Sequence, residues 1–200
     1  MGRRPGNKIT LDNVEIKKEW ALKLLPHFQK KGIKKFNMDQ VALVLNKSKA
    51  TVYKYFRSRD EILEIIVGYR LKKISQFEET IKDESLTWEE RYFSAVEILS
   101  TSVGDISTPF LYDLKKYHPD VWKMIEVFKE NAVESFSNFY LQGMKKNEIK
   151  KYDVSILKIA DRLFFSALLD PEFLNENSLS LRTGFQQYFQ LKWKGIKTSS

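Results

Sequence analysis

The side chains with chemistry to offer crowd between Asn37 and Asp60. Lys47, Lys49, Lys54 and Arg59 stand there among Ser48, Thr51, Tyr53 and Tyr55, while Ala50, Val52 and Phe56 supply the apolar complement. A lysine approaches a phosphate or a guanine edge, Thr51 and Ala50 suit a thymine methyl, and tyrosine hydroxyls reach phosphate oxygens. The chemistry is recognition of double-stranded DNA, provided that one helix face presents these groups together.

The flanking residues predict such a helix. Asn37 followed by Gln40 is a capping box, and Met38, Val41, Ala42 and Leu45 recur at helical spacing behind it. Asn46 stops that helix, because asparagine is among the residues that most readily take a left-handed backbone. Ser48 caps the next helix, where Val52 and Phe56, four apart, turn inward and leave Lys49, Ala50, Thr51, Tyr53, Lys54 and Tyr55 outward. Ser58 with Glu61 opens a third helix, whose first amides together with Arg59 would hold another phosphate. Two short capped helices on a tight turn form a helix-turn-helix. Lys49, Thr51 and Lys54 are assigned to the groove, and Tyr53, Tyr55, Arg59 and the Asn37 cap to phosphates.

Ala42, Ser48, Thr51, Tyr53, Phe56, Ser58, basic Arg59, acidic Asp60 and Leu63, with Phe28-x-x-x-Gly32 upstream, resemble the N-terminal domain of TetR-type bacterial transcriptional regulators. The resemblance covers roughly residues 28 to 63. The chain departs from it at Asn46, which replaces the common turn glycine, at Lys47, which replaces an apolar residue and brings a charge nearer the DNA, and at Ala50. The resemblance implies an all-α chain, with an N-terminal three-helix DNA-binding domain and a C-terminal helical domain for effector binding and dimerisation. It also implies a repressor released from a palindromic operator by a small effector.

Charge distribution agrees. Residues 1 to 60 hold 15 Lys or Arg against 5 Asp or Glu, a net +10, whereas residues 61 to 200 hold 19 against 21, a net −2. The basic excess lies with the helix-turn-helix, the footprint of a nucleic-acid binder. Arg3 and Arg4, beside Pro5 and Gly6, form a basic tail suited to a minor groove or to a solubilising terminus. With 42% hydrophobic residues in 200, the chain can bury a real core. No apolar run approaches a membrane span, no signal peptide precedes the first helix, and the absence of cysteine is compatible with the cytosol. Catalysis is poorly served. There are two histidines, no HExxH, no P-loop and no GxSxG, and adjacent carboxylates such as Glu89 and Glu90 do not converge on a helix. No catalytic residue, cofactor or metal site is assigned.

The remaining pattern is helical throughout. A first helix over about 11 to 31 contains Pro26 and is expected to bend or break near Leu22 to Pro26. A connecting helix over 59 to 82 joins a DNA-binding unit, 1 to 58, to an effector-binding and dimerisation unit, 83 to 200. Helices then start at Thr87, Thr108 and His118-Pro119, followed by 153 to 169 and 178 to 194; His118 is assigned to a helix cap. Phe93, Phe110, Trp122, Phe128, Phe136, Phe164 and Phe165, with Asp113, Tyr117 and Asp161 as polar groups, are expected to line a pocket for a hydrophobic effector. Leu157, Ala160, Phe164 and Leu168 with Leu181, Phe185, Tyr188 and Phe189 are expected to pair two copies through a four-helix bundle. An effector-binding or protein-interaction module with weakened DNA binding is the alternative function.

Overall fold

The computed structural model describes residues 11 to 198, and side chains from Asn13 onward. Arg3 and Arg4 lie outside the described residues. Eleven helices run through these residues: α1 Leu11–Lys31, α2 Met38–Leu45, α3 Lys49–Tyr55, α4 Arg59–Ile74, α5 Phe77–Thr80, α6 Trp88–Val103, α7 Thr108–Tyr117, α8 Pro119–Lys145, α9 Val154–Leu168, α10 Pro171–Glu176 and α11 Leu181–Ile196. The only β pairing among them is one isolated bridge between Ile149 and Lys197. The expectation of an all-α chain holds.

Two predicted elements differ in detail. Pro26 does not break α1, which continues through it to Lys31. Ala21, Leu24, Leu25 and Phe28 are buried around the proline, and their packing outweighs the lost hydrogen bond. The connecting helix, by contrast, divides. Ser75 donates its hydroxyl to the Lys72 carbonyl at 2.8 Å, and the chain turns so that Phe77 on short α5 points into the body, stacked on Phe136.

Two hydrophobic cores organise the molecule. The first, in the head, gathers α1, Ile33, Phe36, α2, Val52 and Phe56, then takes Ile62, Leu63, Ile66 and Val67 from α4 and Phe110, Leu114 and Val121 from α7 and α8. The head's core therefore does not stop at residue 58. The second core, in the body, is aromatic and joins α5, α6, α8, α9 and α11 around Phe77, Tyr92, Phe136, Tyr140 and Phe189. Leu71 and Trp122 pack against both. α4 is thus a shared wall rather than a strut between separate units.

The turn of the helix-turn-helix is set as its sequence predicts. Asn46 sits at φ 52°, ψ 48°, and its N–H donates to carbonyls at the end of α2. Such a conformation costs a residue with an ordinary side chain about 1–2 kcal/mol. Asn46→Gly is expected to leave the unfolding free energy within a few tenths of a kcal/mol of the parent, and Asn46→Val to lower it by about 1–2 kcal/mol. Chemical denaturation of the two variants compares them directly.

Candidate nucleic-acid interface and effector cavity

The caps of α2 and α3 hold the recognition helix by hydrogen bonds local in sequence. Asn37 Oδ1 accepts from the N–H groups of Asp39 and Gln40 at 3.1 and 3.0 Å, and the Asn37 N–H donates to Gln40 Oε1 at 2.9 Å. Ser48 Oγ accepts from the Thr51 N–H at 3.0 Å. Val52 and Phe56 are fully buried, so the register of α3 is fixed and Lys49, Ala50, Tyr53 and Lys54 remain exposed together with Asn46, Lys47 and Ser48. The assigned groove face is a single solvent-facing surface.

Several of its side chains already have partners. Lys49 Nζ lies 2.7 Å from Asp39 on α2, and this hydrogen-bonded carboxylate raises the lysine above its ordinary range. Thr51 Oγ1 sits 2.8 Å from Ser48 Oγ, which leaves chiefly the threonine methyl for a base edge. Tyr55 packs its ring against Trp20 at 4.7 Å and is half-buried, so most of this residue belongs to the head's core. Lys47 Nζ leans over the same indole at 5.7 Å.

Arg59 requires a correction. Its Nη1 donates to the carbonyls of Ile33 and Phe36 at 3.0 and 3.1 Å, tying the α1–α2 loop to α4, and it is turned away from the outer face. Guanidinium geometry explains this: its forked N–H groups satisfy two loop carbonyls that no helix would satisfy. Ser58 and Glu61 also form only half of a capping box. Ser58 Oγ accepts from the Glu61 N–H, while the Glu61 carboxylate takes the Arg57 N–H at 2.7 Å and pairs with Lys17. Those contacts hold Glu61 below the ordinary glutamate range, against the opposing effect of burial. The basic group presented at this corner is instead Arg57, 92% exposed, with only a 3.9 Å approach to Glu61. The sequence signal for it is a basic residue between two caps, Phe56 and Ser58, two positions before Arg59.

The predicted effector residues do not all converge. A narrow apolar cavity of about 90 Å³ runs between α1, α4, α6, α7, α8, α9 and α11, and of the assigned residues only Phe110, Phe128 and Phe165 line it. Its wall is otherwise mostly aliphatic, with Ile66, Leu71, Leu99 and Leu114 among the lining residues. Phe136 packs inside the body core with half-buried Phe93 against it, and Trp122 packs at the seam between the cores. Asp113 accepts from the Lys34 N–H at 2.9 Å beside Gly32, whose φ of 76° and crowded Cα leave no room for a side chain. Tyr117 is exposed, with Lys34 over its ring. Phe164 stacks on Tyr188 at 4.0 Å between α9 and α11.

Asp161 is fully buried in a network of its own. It accepts from Lys192 Nζ at 2.6 Å, Tyr188 Oη at 2.8 Å and Tyr140 Oη at 3.0 Å. Burial pushes its carboxyl upward, while Lys192 and the two hydroxyls work against that shift. The group fastens α9 to α8 and α11.

The residues assigned to dimerisation also need correction. Leu157, Leu168, Leu181, Phe185 and Phe189 are buried within their own chain and form its core. The opposite face of α9 carries the unpartnered apolar residues Ile156, Ile159 and Leu163, of which Leu163 is 66% exposed, with half-buried Ala160 between them. Leu191 is exposed on the turn of α11 that adjoins α9 through Tyr188 and Lys192.

His118 does more than stand at a helix end. It closes α7 and precedes α8 without capping either by its side chain, and its buried ring places Nδ1 2.6 Å from Asp60 Oδ1 in the first turn of α4. Among the described residues no group of three His, Asp or Glu side chains is placed to hold a metal ion, and no helix is long and apolar enough to cross a membrane.

Comparison with known proteins accords with this geometry. Residues 27–66 match the family model for bacterial regulatory proteins of the tetR family. The uncharacterized HTH-type transcriptional regulator YvaF of Bacillus subtilis (strain 168) is 32% identical over 94 residues, a stretch that spans 46% of this chain and half of that protein. Among solved structures, a TetR-family transcriptional regulator from Marinobacter aquaeolei VT8 superimposes with a TM-score of 0.70 at 17% identity, covering 86% of each chain. A putative transcriptional regulator from Saccharomonospora viridis, solved in complex with choline, gives 0.70 at 15% identity over 95% of this chain and all of that one. At these identities the structures establish the shared fold. Residues 27–66 thus carry the helix-turn-helix domain of the tetR family of bacterial regulatory proteins, and the chain as a whole shares the fold of these solved regulators.

Proposed function

We propose that the protein is a cytosolic, sequence-specific DNA-binding transcriptional regulator, a homodimeric repressor that a small hydrophobic effector releases from a palindromic operator. The observation that carries this reading is the solvent-facing side of α3, where Lys49, Ala50, Tyr53 and Lys54 stand clear of a core that pins Val52 and Phe56. Lys49, Lys54 and the Thr51 methyl are the base-edge and groove contacts. Tyr53, Lys47 and Arg57 hold phosphates. A single such helix contacts too few base pairs for strong selectivity, so two copies reading half-sites about one helical turn apart are required. The face of Ile156, Ile159, Ala160 and Leu163 supports the pairing, because it is apolar and unpartnered in the single chain. The interior cavity supports a small-molecule signal, as does the choline held by the Saccharomonospora viridis neighbour. Effector binding would shift the population toward dimers whose reading heads are wrongly spaced, with α4 as the lever since it belongs to both cores.

Selection of bound duplexes from a random DNA pool at two salt concentrations tests this. The expected result is an enriched palindrome, bound with log K falling against log salt at a slope of about −7 if roughly eight phosphates are neutralised. No binding at either salt would overturn the reading in favour of a protein-interaction module.

Two substitutions refine it. Tyr53→Phe is expected to weaken binding about fivefold on every sequence alike, through one lost phosphate hydrogen bond. Thr51→Val retains the methyl and is expected to keep the preferred sequence, whereas Thr51→Ala changes it. Competition binding against single-base operator variants separates these outcomes, and a sequence change in Tyr53→Phe would mean that α3 sits differently in the groove.

A further inference from the structure

The interior cavity borders a surface hollow at one end. This hollow, between α1, α4 and the α6–α7 loop, shares Leu25, Gln29 and Arg70 with the cavity and adds Lys30 and Asp105. Leu25, Gln29 and Arg70 are thus the wall that the two spaces have in common, and this wall is the candidate mouth. Beyond that mouth the cavity wall is apolar apart from Lys129, and Lys129 is already held by Glu126 at 2.5 Å and Ser166 at 3.1 Å. The cavity's 90 Å³ is narrow. At about 10–15 Å³ for each water-sized group, that space takes on the order of six to nine methylene-sized groups. Lined mostly by aliphatic side chains, this space suits an aliphatic chain.

The mouth has a definite charge. Arg70 donates through Nη1 to Asp105 Oδ1 at 2.7 Å and to the Ser102 carbonyl at 3.1 Å, and its Nη2 meets Asp105 Oδ2. Lys30 borders the hollow and Lys73 lies on the next turn of α4, beside Asp105. Three cations thus surround one carboxylate, leaving this entrance positive. A guanidinium already shaped around a carboxylate is a ready-made site for another.

We propose that the effector is a medium-chain aliphatic carboxylate, its chain in the cavity and its carboxylate on Arg70 in place of Asp105. This rests on the effector reading above and names its chemical class. The exchange also has a regulatory consequence. Asp105 is the α6–α7 loop's ionic hold on α4, and Gln29 of α1 bonds the same loop at the Asp105 carbonyl and the Ser107 N–H, both within 2.8 Å. A ligand carboxylate on Arg70 loosens that hold at the junction of head and body.

The test compares octanoate, octanol and octyltrimethylammonium, chains of one length with different heads, by calorimetric titration of the full chain. Octanoate is expected to bind at least about tenfold tighter than the other two, the worth of one charge-assisted hydrogen bond. Arg70→Gln is expected to erase that preference and leave octanol unchanged. Asp105→Asn, which removes the competing carboxylate, is expected to tighten octanoate severalfold, so the two variants move in opposite directions and a folding defect cannot imitate both. Equal affinity for all three heads, or preference for the cation, would overturn the proposal. Operator binding is measured separately. Octanoate that binds with the expected preference yet leaves DNA affinity unchanged would keep the ligand class and overturn the release mechanism.

Discussion

Replacing Lys192 by methionine is expected to destabilise the fold by about 3–5 kcal/mol, because it leaves the Asp161 carboxylate buried with no countercharge. The Lys192 side chain is 7% exposed and that of Asp161 0%, so water cannot take the ammonium's place. Tyr140 and Tyr188 would still donate to the carboxylate, and this places the loss within that range rather than above it. The double variant Asp161→Asn, Lys192→Met removes both charges and keeps an amide oxygen for the tyrosines. It is expected to recover at least half of the stability. Urea denaturation of the single and double variants makes the comparison; a single variant within about 1 kcal/mol of the parent would show that this network does not hold α9 in place.

Leu163→Asp is expected to yield a folded monomer with operator affinity lowered at least about 100-fold. In a two-fold dimer the substitution brings two carboxylates to one apolar interface, and burying charge without a partner costs several kcal/mol. Each 1.4 kcal/mol is a factor of ten. The monomer is expected to tolerate the change, since Leu163 is exposed and takes no part in either core. Sedimentation measures the assembly state and thermal denaturation measures the fold. Aspartate in place of core residues such as Leu168 or Phe185, on the buried side of the same helices, would unfold the chain and give no such separation. A dimer that persists in Leu163→Asp would place the interface elsewhere.

Legibility in the sequence followed the range of the interactions involved. The helix-turn-helix was readable because its determinants are local: Asn37 with Gln40, Asn46 in the left-handed region, Ser48 with the Thr51 amide, and Val52 and Phe56 four residues apart. Each is a contact among residues at most five apart, and side-chain type alone decides it. Where a side chain instead serves a distant segment, type misled. Arg59 has the right chemistry for a phosphate, yet two carbonyls more than twenty residues away hold it.

The body was harder for a related reason. α9 is apolar on two faces, so hydrophobic periodicity could not say which face meets the chain's own core and which is left over. Asp161 shares the buried side with Leu157, Phe165 and Leu168, and only the arrival of Lys192, Tyr140 and Tyr188 from two other helices makes that burial tolerable. The aromatic residues likewise look interchangeable in a list. Phe110, Phe128 and Phe165 border the cavity while Phe136 fills the core, according to how neighbouring helices pack.

By itself, then, the sequence determined the all-α class, most of the helix starts, the helix-turn-helix and its basic charge, since these depend on backbone capping, helical period and composition. The tertiary structure alone decided which apolar face of α9 remains free, where the cavity runs, and that Arg70 rather than Asp113 or Asp161 lines it. Those outcomes depend on which side chains from distant helices compete for the same space and the same hydrogen bonds, and no local pattern encodes the result of that competition.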